Sequence, residues 1–257
     1  MELGNQQLSD GQSHSGVLFL HIPKTAGSSL TDAFCFSFQH FLRDGHLPGS
    51  PWRTIMERGE RFFVSGHFPI ATITDVIERP DVFSFTVLRD PWEHLVSHIK
   101  WVKAYGDPAR AEELSEIDPS IAELAKMLWP VPLSDVDALS AILEASGGGP
   151  FRNLQTLFLR RGRDLSSPAG AVAEAMENLH RFDLFFVLED LADGLSVLER
   201  KFGPLEPMKR SNQALLEEQP DFNDRPVLKL YRELIELDLE LYEQARQASR
   251  DLISTMG

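Results

Sequence analysis

The chain has 257 residues, 42% of them hydrophobic, enough for a substantial core in one large α/β domain or two small ones. Its formal net charge of −14 repels polyanions from any face that is not locally basic and argues against a nucleic-acid partner. A single cysteine, Cys35, excludes internal disulfides and cysteine-rich zinc sites and reads as a core residue.

Residues 1–15 are polar and lack the basic and apolar regions of a signal peptide, so they read as a disordered lead-in. No apolar run approaches the ~20 residues that span a bilayer, and the expected location is the cytoplasm. Residues 16–257 read as one domain. Val17-Leu-Phe-Leu20 predicts a strand, His21-Ile-Pro-Lys-Thr-Ala-Gly-Ser-Ser29 a loop, and Leu30 onward a helix. This is how a chain builds an anion cradle. Loop N–H groups and the first N–H groups of the helix converge, and the helix dipole favours negative charge there. Lys24 adds a mobile cation, Thr25, Ser28 and Ser29 add hydroxyls, and Gly27 lets the backbone come close. His21 is expected to fix the loop by hydrogen bonding. The fitting occupant is a phosphate or sulfate ester. A nucleoside-triphosphatase P-loop places its Lys late, in G-x-x-x-x-G-K-[ST]. Lys24 comes early, before the only glycine of the loop, an order that does not suit an ordinary ATPase or kinase.

Phe38 to Trp52 mixes Gly, Pro and aromatic residues and reads as a loop. Phe62-Phe-Val-Ser-Gly-His67-Phe68 predicts a short strand that ends at glycine and presents one histidine. Imidazole titrates near neutrality and suits proton removal from an alcohol. Phe83 to Leu88 predicts a buried strand, and Asp90 with Pro91 a capped helix running to about Lys103 along Leu95, Ile99 and Val102. Arg89 thus ends a strand and Ser97 lies two turns into the helix. A guanidinium and a hydroxyl so placed can hold a phosphate through charge-assisted hydrogen bonds. The plainer alternative for Arg89 is a surface pair with Asp90 or Glu93. His94, one turn from Ser97, can face the same ligand; His98 is expected to point elsewhere.

Beyond Gly106 an acidic, Pro-bearing stretch to Ser120 reads as a surface excursion, and Ile121–Leu128 and Val136–Leu143 show helical spacing. Gly147 to Pro150 is the strongest break in the chain. Asp183 to Leu188 predicts another strand, with an amphipathic helix after it through Leu191, Leu195, Leu198 and Phe202. The repeated strand-helix order argues for a parallel sheet with helices on both faces, with ligands at the carboxyl ends of its strands. Lys24, His67, Arg89 and Glu189 then share one rim. Residues 203–225 carry three prolines and read as a long irregular segment, and a long packing helix is expected from Pro226 through Tyr242.

The Pro-Lys-Thr loop at 23–25, the Gly-His pair at 66–67 and the run Arg89-Asp-Pro-Trp-Glu-His-Leu-Val-Ser97, in this order, resemble the sulfotransferases that use 3′-phosphoadenosine 5′-phosphosulfate (PAPS). The closest resemblance is to the branch holding the heparan sulfate 2-O-sulfotransferases and their bacterial relatives. It extends from Val17 to about Arg246 and implies the sulfotransferase fold, a P-loop-like central parallel sheet flanked by helices. Lys24, Thr25, Ala26, Gly27, Ser28 and Ser29 would hold the 5′-phosphosulfate, and Arg89 and Ser97 the 3′-phosphate. His67 would be the catalytic base, contacting the acceptor. Lys24 would also be catalytic, stabilising the bridging oxygen as the product 3′-phosphoadenosine 5′-phosphate (PAP) departs, with no metal required. The resemblance also puts Asn153 and Gln155 beside the acceptor, a capped helix start being the alternative. It puts a loop closing over the nucleotide at Lys209 and Arg210, a solvated basic turn being the alternative. Glu189 is expected to orient His67 or contact the acceptor, or else to cap a helix. Residues 104–165 are the expected acceptor-specificity region. The net charge favours a neutral or weakly charged hydroxyl acceptor, a small molecule or an uncharged glycan. The competing classes are an ATP-dependent P-loop-like phosphotransferase and a non-catalytic nucleotide-binding module.

Overall fold

The computed structural model describes residues 14–256 apart from 36, 37, 39, 46, 48, 58–60, 148, 163 and 209–215. Strand β1 (Gly16–Leu20) is buried along its whole length, as expected of a parallel strand covered on both faces. It is followed by α1 (Gly27–Cys35), the edge strand β2 (His40–Leu42), α2 (Trp52–Glu57), β3 (Phe62–Gly66), α3 (Ile70–Ile77), β4 (Val82–Leu88) and α4 (Pro91–Tyr105). Then come α5 (Ala111–Glu116), α6 (Pro119–Leu128), α7 (Val136–Ala145), α8 (Leu154–Phe158), α9 (Pro168–Leu179) and β5 (Leu184–Val187). Three more helices, α10 (Leu191–Phe202), α11 (Arg225–Leu234) and α12 (Glu236–Thr255), follow.

The strands form one five-stranded, all-parallel sheet in the order β2-β3-β1-β4-β5. Side chains alternate across it with the period of two that a strand imposes. Leu18, Leu20, Val64 and Val187 pack with apolar residues of α3, α9 and α12. Val17, Phe19, Phe63 and Phe186 turn the other way, onto Leu30 and Phe34 of α1 and Val197 and Leu198 of α10. The chain is therefore an α/β protein with helices on both faces of a parallel sheet. A third cluster joins Leu95, Ile99 and Val102 of α4 to Leu124 and Leu128 of α6, Leu139 and Leu143 of α7, and Tyr231 and Leu234 of α11. Among the described residues no helix is long and apolar enough to cross a membrane.

Two expectations need correction. The loop expected over 38–52 contains β2, three residues that pair only with β3 at the sheet edge and so bury too little to mark themselves by hydrophobicity. The stretch at 106–120 is the surface excursion expected, and it forms α5 and the start of α6: Asp107 caps a 3-10 turn before α5 through the Ala109 N–H, and Asp118 caps α6 through the Ser120 N–H. The expected single C-terminal helix breaks at Ile235, for a reason that belongs to the site. Of the expected lead-in, residues 1–13 lie outside the described ones. Ser15 is tied down, donating its N–H and hydroxyl to the Asp81 carbonyl and carboxylate at 2.8 and 2.9 Å.

Candidate active site

Because β3, β1 and β4 are neighbours, the loops leaving their carboxyl ends stand side by side. Leu20 pairs with Gly66 on one flank and with Thr86 on the other, so His67, the 21–26 loop and Arg89 emerge at one rim. Leu88 pairs with Val187, which adds Glu189 to the same edge.

The 21–26 loop turns through left-handed backbone at two positions. Lys24 (φ 67°) and Ala26 (φ 62°) both adopt the left-handed conformation, at a strain on the order of 1–3 kcal/mol each. Left- and right-handed residues in succession turn backbone N–H groups into one concavity. The first backbone bond of α1 runs from Leu30 N–H to Ala26 O at 3.1 Å, so the helix opens its first turn toward that concavity. Gly27 is required by packing. A Cβ there would lie 1.8 Å from Cδ2 of His21, whose ring covers the position. Thr25 is wholly buried and its hydroxyl donates to Ile22 O at 2.8 Å, so this side chain braces the loop instead of offering its proton to a ligand. Ser28 is half-buried and Ser29 buried in the first turn of α1.

His21 also prepares His67. The His67 Nδ1 lies 2.5 Å from the His21 carbonyl oxygen, and the two rings are in contact, tilted by 43° with centroids 4.4 Å apart. A carbonyl can only accept, so Nδ1 carries the proton and Nε2 the lone pair, the tautomer a general base requires. His67 is half-buried.

Helix α4 supplies the other wall. Asp90 caps it, accepting the Trp92 and Glu93 N–H groups at 3.0 and 3.1 Å, with Pro91 in the first turn, as the sequence predicts. The Arg89 guanidinium donates to Lys24 O at 3.2 Å and to Glu93 at 3.1 Å. The second contact is the surface pair raised as the plainer alternative, but the Glu93 side chain is 70% exposed. Such a pair contributes about 0–1 kcal/mol and yields readily to a dianion. Ser97 is half-buried one turn beyond Glu93 on the same stripe of α4.

The charge around Lys24 is one-sided. Burial first and Arg89 second lower the Lys24 pKa to about 8, and its Nζ lies 5.7 Å from the centre of the Trp101 ring. His94 is buried, which pulls its pKa down to about 4, and its Nε2–H donates to Pro23 O at 2.8 Å, holding the loop. His98 does not point elsewhere, as expected from its place beside Ser97. It is 5% exposed and its pKa is pushed well below the ordinary value by burial first, then by His94, Lys24 and His67. Among the described residues its Nδ1 has no hydrogen-bond partner. Neither His98 nor Trp101 stands out in the sequence, yet the spacing from His94 to His98 to Trp101 is i, i+4, i+7, one face of one helix.

Three expected acceptor contacts are built into the frame instead. The Gln155 amide grips the backbone of Arg89 in both directions, accepting from its N–H and donating to its carbonyl, each at 2.9 Å. Asn153 adopts the left-handed conformation (φ 48°), donates its N–H to Leu234 O at 2.7 Å, and accepts the Leu237 N–H on Oδ1 at 2.9 Å. It thereby ends α11 and caps α12, which is why the C-terminal helix breaks at Ile235. Both side chains are buried, at 4% and 1% exposure for Asn153 and Gln155, with the whole Gln155 amide and the Asn153 Oδ1 committed to backbone. Glu189 is held by the frame. Its carboxylate accepts the Asp90 N–H at 3.0 Å and the Tyr242 hydroxyl at 2.9 Å. Lys209 and Arg210 lie outside the described residues.

Comparison with protein-family models gives no match, and comparison with curated protein sequences gives none either. The functional reading rests on the residues and their arrangement.

Proposed function

We propose that this protein transfers a sulfuryl group from PAPS to an alcohol hydroxyl of a small molecule or glycan, the reaction that the resemblance implies. One observation carries the reading: a left-handed, lysine-bearing loop stands between Arg89 and a histidine whose tautomer is set for proton removal. The residues fit the donor. Bases crowd Lys24 and the one carboxylate bonded to Arg89 is exposed and replaceable, an arrangement that suits a ligand with two separate anionic groups.

Residues 24–29 would hold the 5′-phosphosulfate through loop and helix N–H groups, with Lys24 and Ser28 adding side-chain donors. Arg89 and Ser97 would hold the 3′-phosphate, Arg89 exchanging Glu93 for it. Bound PAPS supplies a sulfuryl group attached to a phosphate leaving group. His67 Nε2 accepts the acceptor's hydroxyl proton as the oxygen bonds to sulfur and the bond from sulfur to the bridging oxygen breaks. The His21 carbonyl steadies the imidazolium through Nδ1–H. Lys24 donates to the bridging oxygen as charge builds there, a contribution on the order of a few kcal/mol for a preorganised donor.

A calorimetric titration of the protein with PAP, 5′-AMP and ATP tests the assignment. PAP should bind much more tightly than either. Equal affinity for PAP and AMP would refute it, and preference for ATP with Mg²⁺ would favour phosphotransfer.

A further inference from the structure

The surface beside His67 opens into a cavity of about 830 Å³, within the range of sites that enclose drug-sized molecules. Apart from His67 and Pro69 its walls come from residues between 118 and 162. Six of them are Ile121, Leu124, Met127, Leu154, Leu157 and Phe158. Met127 is 39% exposed, one of few large apolar side chains so exposed among the described residues.

Several polar groups of the same walls are engaged with the protein, Asp118, Ser146 and Arg160 among them. Asp118 caps α6 through the Ser120 N–H at 2.8 Å and also accepts the Ser120 hydroxyl. Glu123 pairs with Lys126 at 2.6 Å, and Arg160 with Glu174 at 2.8 Å. The Ser146 hydroxyl donates to Leu143 O at 3.1 Å. Arg161 is exposed. Two carboxylates and two guanidiniums leave the walls without net charge. A sugar presents hydroxyls on every side and needs as many polar partners. Of the two amides nearest in sequence, Gln155 is spent at both ends on the Arg89 backbone and Asn153 holds backbone N–H groups through its Oδ1.

We propose that this cavity takes the hydrocarbon body of a neutral amphipathic alcohol, with its hydroxyl presented to His67. The fate of that hydroxyl rests on the sulfotransferase reading; the occupancy of the cavity does not.

The test is direct binding of 1-hexanol, 1-octanol, 1-decanol and maltotriose to the whole protein, with and without PAP, by calorimetry and saturation-transfer NMR. Affinity should rise about three- to fourfold per buried methylene along the series, and maltotriose should not bind. Met127→Glu, on the exposed side of α6, should weaken decanol at least tenfold with folding intact. Leu157→Ala should weaken it similarly while PAP affinity stays unchanged. A flat alcohol series, maltotriose binding as tightly as decanol, or decanol affinity unchanged in both variants would overturn the inference. Alcohol binding by a protein that does not prefer PAP to AMP supports the cavity and refutes the donor. Preference for PAP without alcohol binding does the reverse.

Discussion

Two regions meet at His67 and treat their polar residues in opposite ways. On the side of the lysine loop, Lys24, Arg89, His94 and His98 crowd together with one exposed carboxylate, Glu93, bonded to Arg89. On the other side, Asn153, Gln155 and Glu189 hold the frame, each committed to backbone N–H or carbonyl groups. Two cations beside two buried, neutral histidines and a strained loop form a group that a bound anion would stabilise. A polar residue with its hydrogen bonds already satisfied has nothing left for a ligand. Residue type alone does not separate the two cases; the accounting of hydrogen bonds does.

The comparison can be broken most decisively at its junction. If His67 is the base, His67→Ala should lower turnover about 10²- to 10⁴-fold while PAP affinity stays near that of the wild type. The limb of the pH–rate profile belonging to the base should vanish with it. Full activity with an unchanged profile would remove His67 from the chemistry. The next largest effect belongs to Arg89. Arg89→Ala should cost PAP about 2–4 kcal/mol, roughly 30- to 1,000-fold in Kd, and leave AMP little affected. Arg89→Lys should recover only part, because a point ammonium cannot reproduce the planar fork. Loss of AMP and PAP binding in equal measure would mean that Arg89 does not read the 3′ position.

How much of this was legible beforehand follows from the range of the forces involved. The sheet could be read because four of its strands are mostly apolar runs rich in aromatic and aliphatic residues, and α4 because its cap and first-turn proline are adjacent residues. The rim could be read because strand ends in a parallel sheet bring distant loops together by topology. Strand β2 was missed because three half-exposed residues carry no pattern. The break at Ile235 was missed because its cause, Asn153, lies more than 80 residues away in sequence. Asn153 and Gln155 were assigned to the acceptor for the same reason: their partners, Leu237 and Arg89, are invisible to local spacing. The i, i+4 relation of His98 to His94 is local, but its burial beside Lys24 and His67 depends on loops from two other strands.

The frame side gives a smaller effect with a distinctive signature. Gln155→Ala removes both bonds to the Arg89 backbone and should destabilise the fold by about 1–3 kcal/mol, measured by chemical denaturation. It should also weaken PAP binding, since the guanidinium is launched from the backbone that Gln155 grips. Asn153→Ala should destabilise to a similar extent through the lost cap of α12, without a selective effect on PAP. An acceptor contact would behave otherwise, raising the acceptor KM with stability unchanged. That outcome for either variant would restore the residue to the ligand side.

The last effect is graded with pH and isolates Lys24. With its pKa lowered to about 8, the ammonium is charged below that value and progressively neutral above it. A bound anion favours the charged form and raises the pKa back toward the ordinary lysine value of about 10.4. Between those two values the complex holds a proton that the free protein lacks, so binding takes up protons there. Below about pH 8 both states are protonated and this contribution to affinity is fully present. As pH rises above 8, PAP affinity should fall by up to tenfold per unit, or ~1.4 kcal/mol, until the pKa of the complex is reached. Calorimetry near pH 9 in two buffers of different ionisation enthalpy should register the uptake, approaching one proton per PAP. Lys24→Ala should abolish it, whereas Arg89→Ala should lessen the affinity and still show uptake. Proton release, or uptake that persists without Lys24, would show that the loop's cation is not the group that meets the ligand's charge.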